Sequence, residues 1–245
     1  MRWIWLTVVF AGTLWSQTVA TTAVAPQPNL AAERETMMKK LADWPQLARY
    51  RDANAGLPPA APGRVVFYGD SITDAWARKS EEFFPGKPYV GRGISGQTTP
   101  QMLVRFQQDV VHLKPTVVVI LAGTNDIAGN TGPSTPEMIE DNFESMVAIA
   151  KANNIKVVIS SILPADHYSW QPSAQPAEQI RQMNTRLKAL CQRERLVYLD
   201  YYTTMANAKG GLDPDLARDG VHPTSKGYAI MSPLAEKAIA EALAH

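Results

Sequence analysis

The sequence predicts an α/β fold, a three-layer sandwich with a five-stranded parallel sheet between helices. Three observations predict it. Five short runs are continuously apolar and rich in β-branched residues, as strands covered on both faces must be. They alternate with longer stretches of helical spacing, the pattern of a parallel sheet with crossover helices. And each run is followed by a polar segment, where such folds bind ligands, outside the carboxyl ends of the strands.

The elements follow in chain order. Arg2 precedes an apolar stretch from Trp3 to Trp15, shorter than the roughly 20 residues a spanning helix needs. Thr18-Val19-Ala20 then offers a small-residue cleavage site, so residues 1–20 read as a signal peptide cut after Ala20, and the mature chain as exported, periplasmic or extracellular, with no stable membrane span. Ala23-Val24-Ala25 has the same pattern, but Pro26 would follow that cut. An uncleaved anchor and a buried core helix are the alternatives. Residues 21–62 read as a helical extension and a Pro-rich linker. Apolar residues at Met37, Met38, Leu41, Trp44, Leu47 and Tyr50 have helical spacing, Pro45 divides them into two short helices or a kink, and Leu57-Pro58-Pro59-Ala60-Ala61-Pro62-Gly63 is linker-like. From residue 63 to 245 a single domain is expected. Its strands are 64–68, 89–91 (short), 116–121, 156–162 and 196–200, and its helices 74–84, 99–113, 135–153, 176–193 and 224–243.

Composition narrows the function. A net charge of +1 with no run of Lys or Arg excludes the basic face of a nucleic-acid binder. The single cysteine, Cys191, excludes an internal disulfide and a cysteine-rich metal site, and reads as a small buried apolar residue. No metal-ligand spacing stands out, so neither metal nor cofactor is expected.

Three of the five polar segments carry groups an acyl-transfer site can use. Ser71, in Gly69-Asp70-Ser71-Ile72-Thr73, sits at a strand-to-helix turn, where unpaired N–H groups and the positive dipole end favour a developing anion. Ser71 or Thr73 could equally be a helix cap. Asn125, in Gly123-Thr124-Asn125-Asp126, offers a side-chain amide to an oxyanion, or simply stabilises a turn. Gly96, in Gly93-Ile94-Ser95-Gly96-Gln97-Thr98, offers a backbone N–H unobstructed by a side chain, or is an ordinary turn glycine. Near the C-terminus, Asp219-Gly220-Val221-His222-Pro223-Thr224 spaces a carboxylate three residues before an imidazole. The carboxylate can curl back onto one ring nitrogen and leave the other for a serine hydroxyl. Asp213 and Asp215 stand close enough in sequence to be rivals for the acid. Of the other histidines, His112 and His245 read as solvated. His167, with Tyr168 and Trp170 in the loop 164–176, reads as a substrate-binding candidate. Asp70 and Asp126 read as structural.

No Gly-x-Ser-x-Gly elbow occurs, which disfavours an ordinary α/β-hydrolase. The four blocks, in their order, resemble those of the SGNH-hydrolase (GDSL esterase/lipase) superfamily over residues 63–245. Two departures are small: Ile72 replaces the Leu of the family name, and Gly91 stands before Arg92-Gly93 where related sequences often carry Asn. The resemblance implies a flavodoxin-like fold and a serine esterase in which Ser71 attacks, His222 moves the proton and Asp219 orients it. It further implies that the N–H groups of Ser71 and Gly96 and the amide of Asn125 form the oxyanion hole. The implied substrate is a small-molecule or glycan ester. Short acetyl esters of carbohydrates are favoured because no extended apolar lid is visible. Lysophospholipase or thioesterase activity is the alternative, and a non-catalytic glycan-binding module the remote one.

Overall fold

A computed structural model describes residues 29–244. The expected signal segment with its cleavage site, and His245, lie outside the described residues. The chain divides into two compact units, Met1–Ala42 and Asp43–His245. In the first, the described part is the helix α1 (Leu30–Ala42), whose apolar Met37, Met38 and Leu41 are exposed.

The second unit runs α2 (Arg51–Ala55), β1 (Val65–Gly69), α3 (Ser71–Ala77), α4 (Ser80–Phe83), β2 (Tyr89–Gly93), α5 (Thr99–Asp109), a 3-10 turn (Val111–Leu113) and β3 (Val117–Leu121). It continues through α6 (Thr124–Ile127), α7 (Pro136–Ala152), β4 (Lys156–Ser160), α8 (Pro176–Glu194), β5 (Val197–Leu199), α9 (Tyr202–Met205) and α10 (Ser225–Ala244). All five strands are parallel, in the order β2-β1-β3-β4-β5. Every residue of β1 and β3 is buried, and alternate residues face opposite sides. Val66, Tyr68, Val118, Ile120, Val157 and Ile159 pack with Met102 and Phe106 of α5, Phe143 and Met146 of α7, and Ile180 and Leu187 of α8. Val65, Phe67, Val117, Val119 and Val158 pack with Ile72 and Trp76 of α3 and Tyr228, Met231 and Ala235 of α10. Each such fully buried aliphatic side chain contributes about 1.5–3 kcal/mol, which is why the strands carry no polar alternation.

The order reverses between β1 and β3, the place where sheets of this kind bind ligands, outside the carboxyl ends of the strands. Gly69 is in register with both Gly93 and Leu121, so the polar segments after β1, β2 and β3 leave the sheet at one level. β2 can approach α3 closely because its glycines carry no side chain. A Cβ at Gly91 would lie 2.2 Å from the Ala77 Cβ, and one at Gly93 2.1 Å from the Asp74 N. That contact accounts for glycine at position 91.

Several boundaries differ from expectation. The helix expected at 74–84 begins at Ser71 and is broken, so that Phe84 turns in to stack on Phe67 with centroids 5.2 Å apart. The helix expected at 99–113 ends at Asp109 and a 3-10 turn completes it, with Lys114 left-handed at φ 49°. The largest difference concerns residues 43–62, read from helical spacing and a proline-rich composition as the latter part of a 21–62 extension and linker. They belong to the compact second unit. The buried Arg64 guanidinium donates to the carbonyls of Pro58 (2.7 Å) and Pro59 (2.9 Å). The Tyr50 hydroxyl donates to the Gly93 carbonyl, and Gln97 Nε2 donates to the Pro45 carbonyl at 2.8 Å. A proline-rich stretch lacks donors of its own but keeps its carbonyls, and here arginine and glutamine side chains fasten it.

Candidate active site

Ser71 is the first residue of α3, capped by Asp70, whose Oδ1 accepts from the Ile72 N–H at 3.0 Å. Asp70, not Ser71 or Thr73, is therefore the cap, and the Ser71 side chain is left for other work. Ser71 Oγ lies 2.9 Å from His222 Nε2. His222 Nδ1 lies 2.6 Å from Asp219 Oδ2, while Asp219 Oδ1 accepts from the N–H of His222 (2.8 Å) and of Val221 (3.0 Å). The three-residue spacing thus lets one carboxylate hold both the backbone and the ring of the same histidine. A proton on Nδ1, shared with Asp219, leaves the Nε2 lone pair facing the serine hydroxyl. Partial burial works against ionisation of Asp219. The donated hydrogen bonds from His222 and Val221 outweigh it and hold the carboxyl below the usual range.

The rival acids are engaged elsewhere. Asp215 pairs with Lys226 at 2.6 Å, and Asp213 accepts from Asn207 Nδ2 at 3.2 Å. The loop carrying Asp219 is closed by the Thr224 N–H on the Leu216 carbonyl (2.7 Å). α10 then ties it to the nucleophile helix, where the Tyr228 hydroxyl donates to the Ile72 carbonyl at 2.8 Å.

The remaining two segments meet beside Ser71. Gly96 is left-handed at φ +79°, a conformation that favours glycine. Asn125 is buried; its Nδ2 donates to the Gln97 carbonyl at 2.9 Å and reaches Asp70 Oδ2 at 3.4 Å. Among the described residues, neither the Ser71 nor the Gly96 N–H has a hydrogen-bond acceptor. Asp70 and Asp126 hold the loops. Asp126 accepts from the N–H and hydroxyl of Thr99 at the start of α5 (3.0 and 2.6 Å). Burial raises both carboxyls, Asp70 to about 6 against the opposing Ile72 hydrogen bond and the His222 charge.

The three residues of the 164–176 loop have different surroundings. Trp170 is half exposed, with its ring 6.3 Å from the His222 ring. Tyr168 was expected to bind substrate, but its ring is buried and stacked behind Trp170 at 4.9 Å, so it backs the tryptophan and presents no surface. His167 is exposed and paired with Asp166 at 2.6 Å. Its ring lies against Gly220, where a Cβ would come within 2.7 Å of His167 Cε1, so it supports the Asp219–His222 loop.

Two features escaped sequence reasoning. Asn130 donates from Nδ2 to Asn125 Oδ1 (2.9 Å) and to the Gly96 carbonyl (3.2 Å). A second Asn in the same polar segment was the available signal. Arg105, fully buried in α5, donates to Gln97 Oε1 (2.5 Å), to the carbonyls of Gly69 and Arg92 (2.9 Å each) and to Asp109 (3.2 Å). A charge on the apolar face of a predicted helix was its only mark.

Comparison with known proteins shows the family. Residues 67–230 match the model of the GDSL-like Lipase/Acylhydrolase family. A solved GDSL-like lipase from Bacteroides thetaiotaomicron VPI-5482 has 42% sequence identity and a TM-score of 0.78, over 81% of this chain and 98% of its own. An acetylxylan esterase of Geobacillus stearothermophilus is 25% identical over 199 residues, 69% of this chain and 90% of the relative. The platelet-activating factor acetylhydrolase IB subunit alpha1 of Homo sapiens is 26% identical over 67% of this chain and 70% of its own length. With the family model covering most of the second unit and a structural relative sharing its fold at this identity, the chain belongs to the GDSL-like lipase/acylhydrolase family of esterases.

Proposed function

We propose that this protein is an exported serine esterase that cleaves short acyl groups, acetyl above all, from carbohydrate esters. The observation that carries the chemistry is the chain of contacts from Ser71 Oγ to His222 Nε2 (2.9 Å) and from His222 Nδ1 to Asp219 (2.6 Å). In this reading Ser71 Oγ attacks the ester carbonyl as His222 takes its proton. The N–H groups of Ser71 and Gly96 and the amide of Asn125 receive the oxyanion, a donor set worth about 3 kcal/mol of transition-state stabilisation per member. The tetrahedral intermediate expels the alcohol, which takes the proton from His222. Water, activated by the same imidazole, then attacks the acyl-enzyme, releasing the carboxylic acid and restoring Ser71.

Two considerations support a short acyl group on a sugar. Two distant relatives carry acetyl-ester activities in their names. And Trp170 stands beside His222, the group that protonates the leaving alcohol, where an aromatic face suits a sugar ring. Export rests on the N-terminal sequence, and the mass of the protein recovered from culture tests it: an intact Met1 would refute cleavage after Ala20. The central experiment compares the wild type with Ser71→Ala on aryl esters from acetate to decanoate and on an acetylated xylan. Loss of about 10⁴-fold or more in rate is expected for the variant, with rates falling as the acyl chain lengthens. Undiminished turnover by Ser71→Ala would refute the mechanism, and a preference for long chains would refute the substrate.

A further inference from the structure

Asn130 spends its whole side-chain amide on the site. Its Nδ2 donates to Asn125 Oδ1 (2.9 Å) and to the Gly96 carbonyl (3.2 Å), while its Oδ1 accepts the indole N–H of Trp170 (3.1 Å). Its backbone N–H donates to the Asn125 carbonyl at 3.0 Å. One exposed side chain therefore touches two oxyanion-hole residues and the tryptophan beside His222. It is not itself positioned among the reacting groups.

We infer that Asn130 is a positioning residue that fixes the orientation of the oxyanion donors and couples it to Trp170 in the 164–176 loop. The inference rests on the esterase reading above and deepens it. An amide has two faces of opposite polarity. Were Asn125 turned over, its oxygen would meet the developing oxyanion and repel it. The Asn130 donor on Asn125 Oδ1 opposes that turn, aided by the Gln97 carbonyl on the other side of the amide. The same Nδ2 holds the Gly96 carbonyl, and so the left-handed turn that presents the Gly96 N–H. Trp170 orients Asn130 in return, because an indole N–H accepts nothing and must meet the amide oxygen. A leaving group resting against Trp170 thus presses on the element that aligns the oxyanion hole. Preorganised donors are effective only while their geometry is held.

The test uses the full chain and a soluble aryl acetate. Asn130→Ala should lower kcat by about 10–100-fold with KM within about threefold and thermal midpoint unchanged, since the side chain is at the surface. Asn130→Asp keeps the acceptor for Trp170 but sets an oxygen against Asn125 Oδ1 and the Gly96 carbonyl, so it should lose more than Asn130→Ala. Trp170→Phe keeps the ring without the N–H and should cost kcat severalfold. Combined with Asn130→Ala it should add nothing, the non-additivity of two groups acting through one contact. Unchanged kcat in Asn130→Ala, Asn130→Asp more active than Asn130→Ala, a loss confined to KM, or multiplicative effects in the double variant would each overturn the inference. A fluorophosphonate probe separates this failure from failure of the esterase reading. Asn130→Ala still labels at Ser71, more slowly, whereas a wild type that does not label refutes the esterase itself.

Discussion

The two sides of the serine are built in opposite ways. On one, Gln97, Asn125, Arg105 and Asp109 are buried and linked by hydrogen bonds to strand ends and to one another. On the other, the His222 and Asp219 side chains are 39% and 44% exposed, on a loop stapled by backbone contacts. The difference follows from the tasks. In the proposed mechanism the oxyanion donors must hold still, because reorganisation during the reaction would forfeit their advantage, and the buried network beside the exposed Gly96 serves that need. An imidazole that takes a proton from serine and hands it to a departing alcohol must stand where that alcohol leaves. The buried side draws its rigidity from the fold, so damage there should appear as lost stability. The exposed side should lose rate and little else.

The strongest test of that contrast is Asp219→Asn. An amide in place of the carboxylate keeps an acceptor for the Val221 and His222 N–H groups, but sets its own NH2 against Nδ1. The imidazole then takes the other tautomer, with a proton on Nε2 facing Ser71. Turnover should fall by about 10³–10⁴-fold, while the unfolding free energy from urea denaturation changes by no more than about 0.5 kcal/mol, as for an exposed position. A large loss of stability would show that the loop is part of the core, and the contrast would fail.

Arg105→Met probes the opposite side and should affect stability most. It deprives the buried Asp109 carboxylate of its directly paired cation, leaving Asn54 Nδ2 as its close donor at 2.8 Å and Arg92 as the nearby charge. It also strips donors from Gln97 and from the Gly69 and Arg92 carbonyls. Breaking a buried pair from one side costs about 3–5 kcal/mol, readable by urea denaturation. Arg105→Met with Asp109→Leu should regain much of that loss, because no charge is then stranded. If the single variant is as stable as the wild type, the network is not what holds this side.

What could be read from the sequence divides along the same line. The strands were legible because burial on both faces forces continuous apolar runs such as Val117–Leu121. The Ser71, Asn125 and Asp219–His222 segments were legible because each sits at a strand end or helix start with a distinctive local spacing. The contribution of residues 43–62 was not. Pro58 and Pro59 look like a linker, and the arginine that fastens their carbonyls stands at position 64, inside what reads as a strand. Arg105 and Asn130 were equally hidden, since each ties a near neighbour, Asp109 or Asn125, to groups far along the chain at Gly69 or at Gly96 and Trp170. Tyr168 was misjudged because composition does not tell which of two neighbouring aromatics faces outward.

Asp70 gives the smallest and most specific test of the buried side. Burial raises its carboxyl from the ordinary aspartate value to about 6, against the Ile72 N–H and the His222 charge, which lower it. The native state therefore holds this proton more tightly than the unfolded chain does. Its contribution to stability is full below about pH 4 and is lost as pH rises through about 6, a change of at most about 3 kcal/mol. Asp70→Asn keeps an oxygen to cap the Ile72 N–H and has no charge to bury. Its unfolding free energy should fall less between pH 4 and 7 than that of the wild type, so that the two curves converge at acid pH and separate in the variant's favour above pH 6. Parallel curves would mean that Asp70 ionises in the folded protein as readily as in water, and that the buried side of this site is wetter than its packing implies.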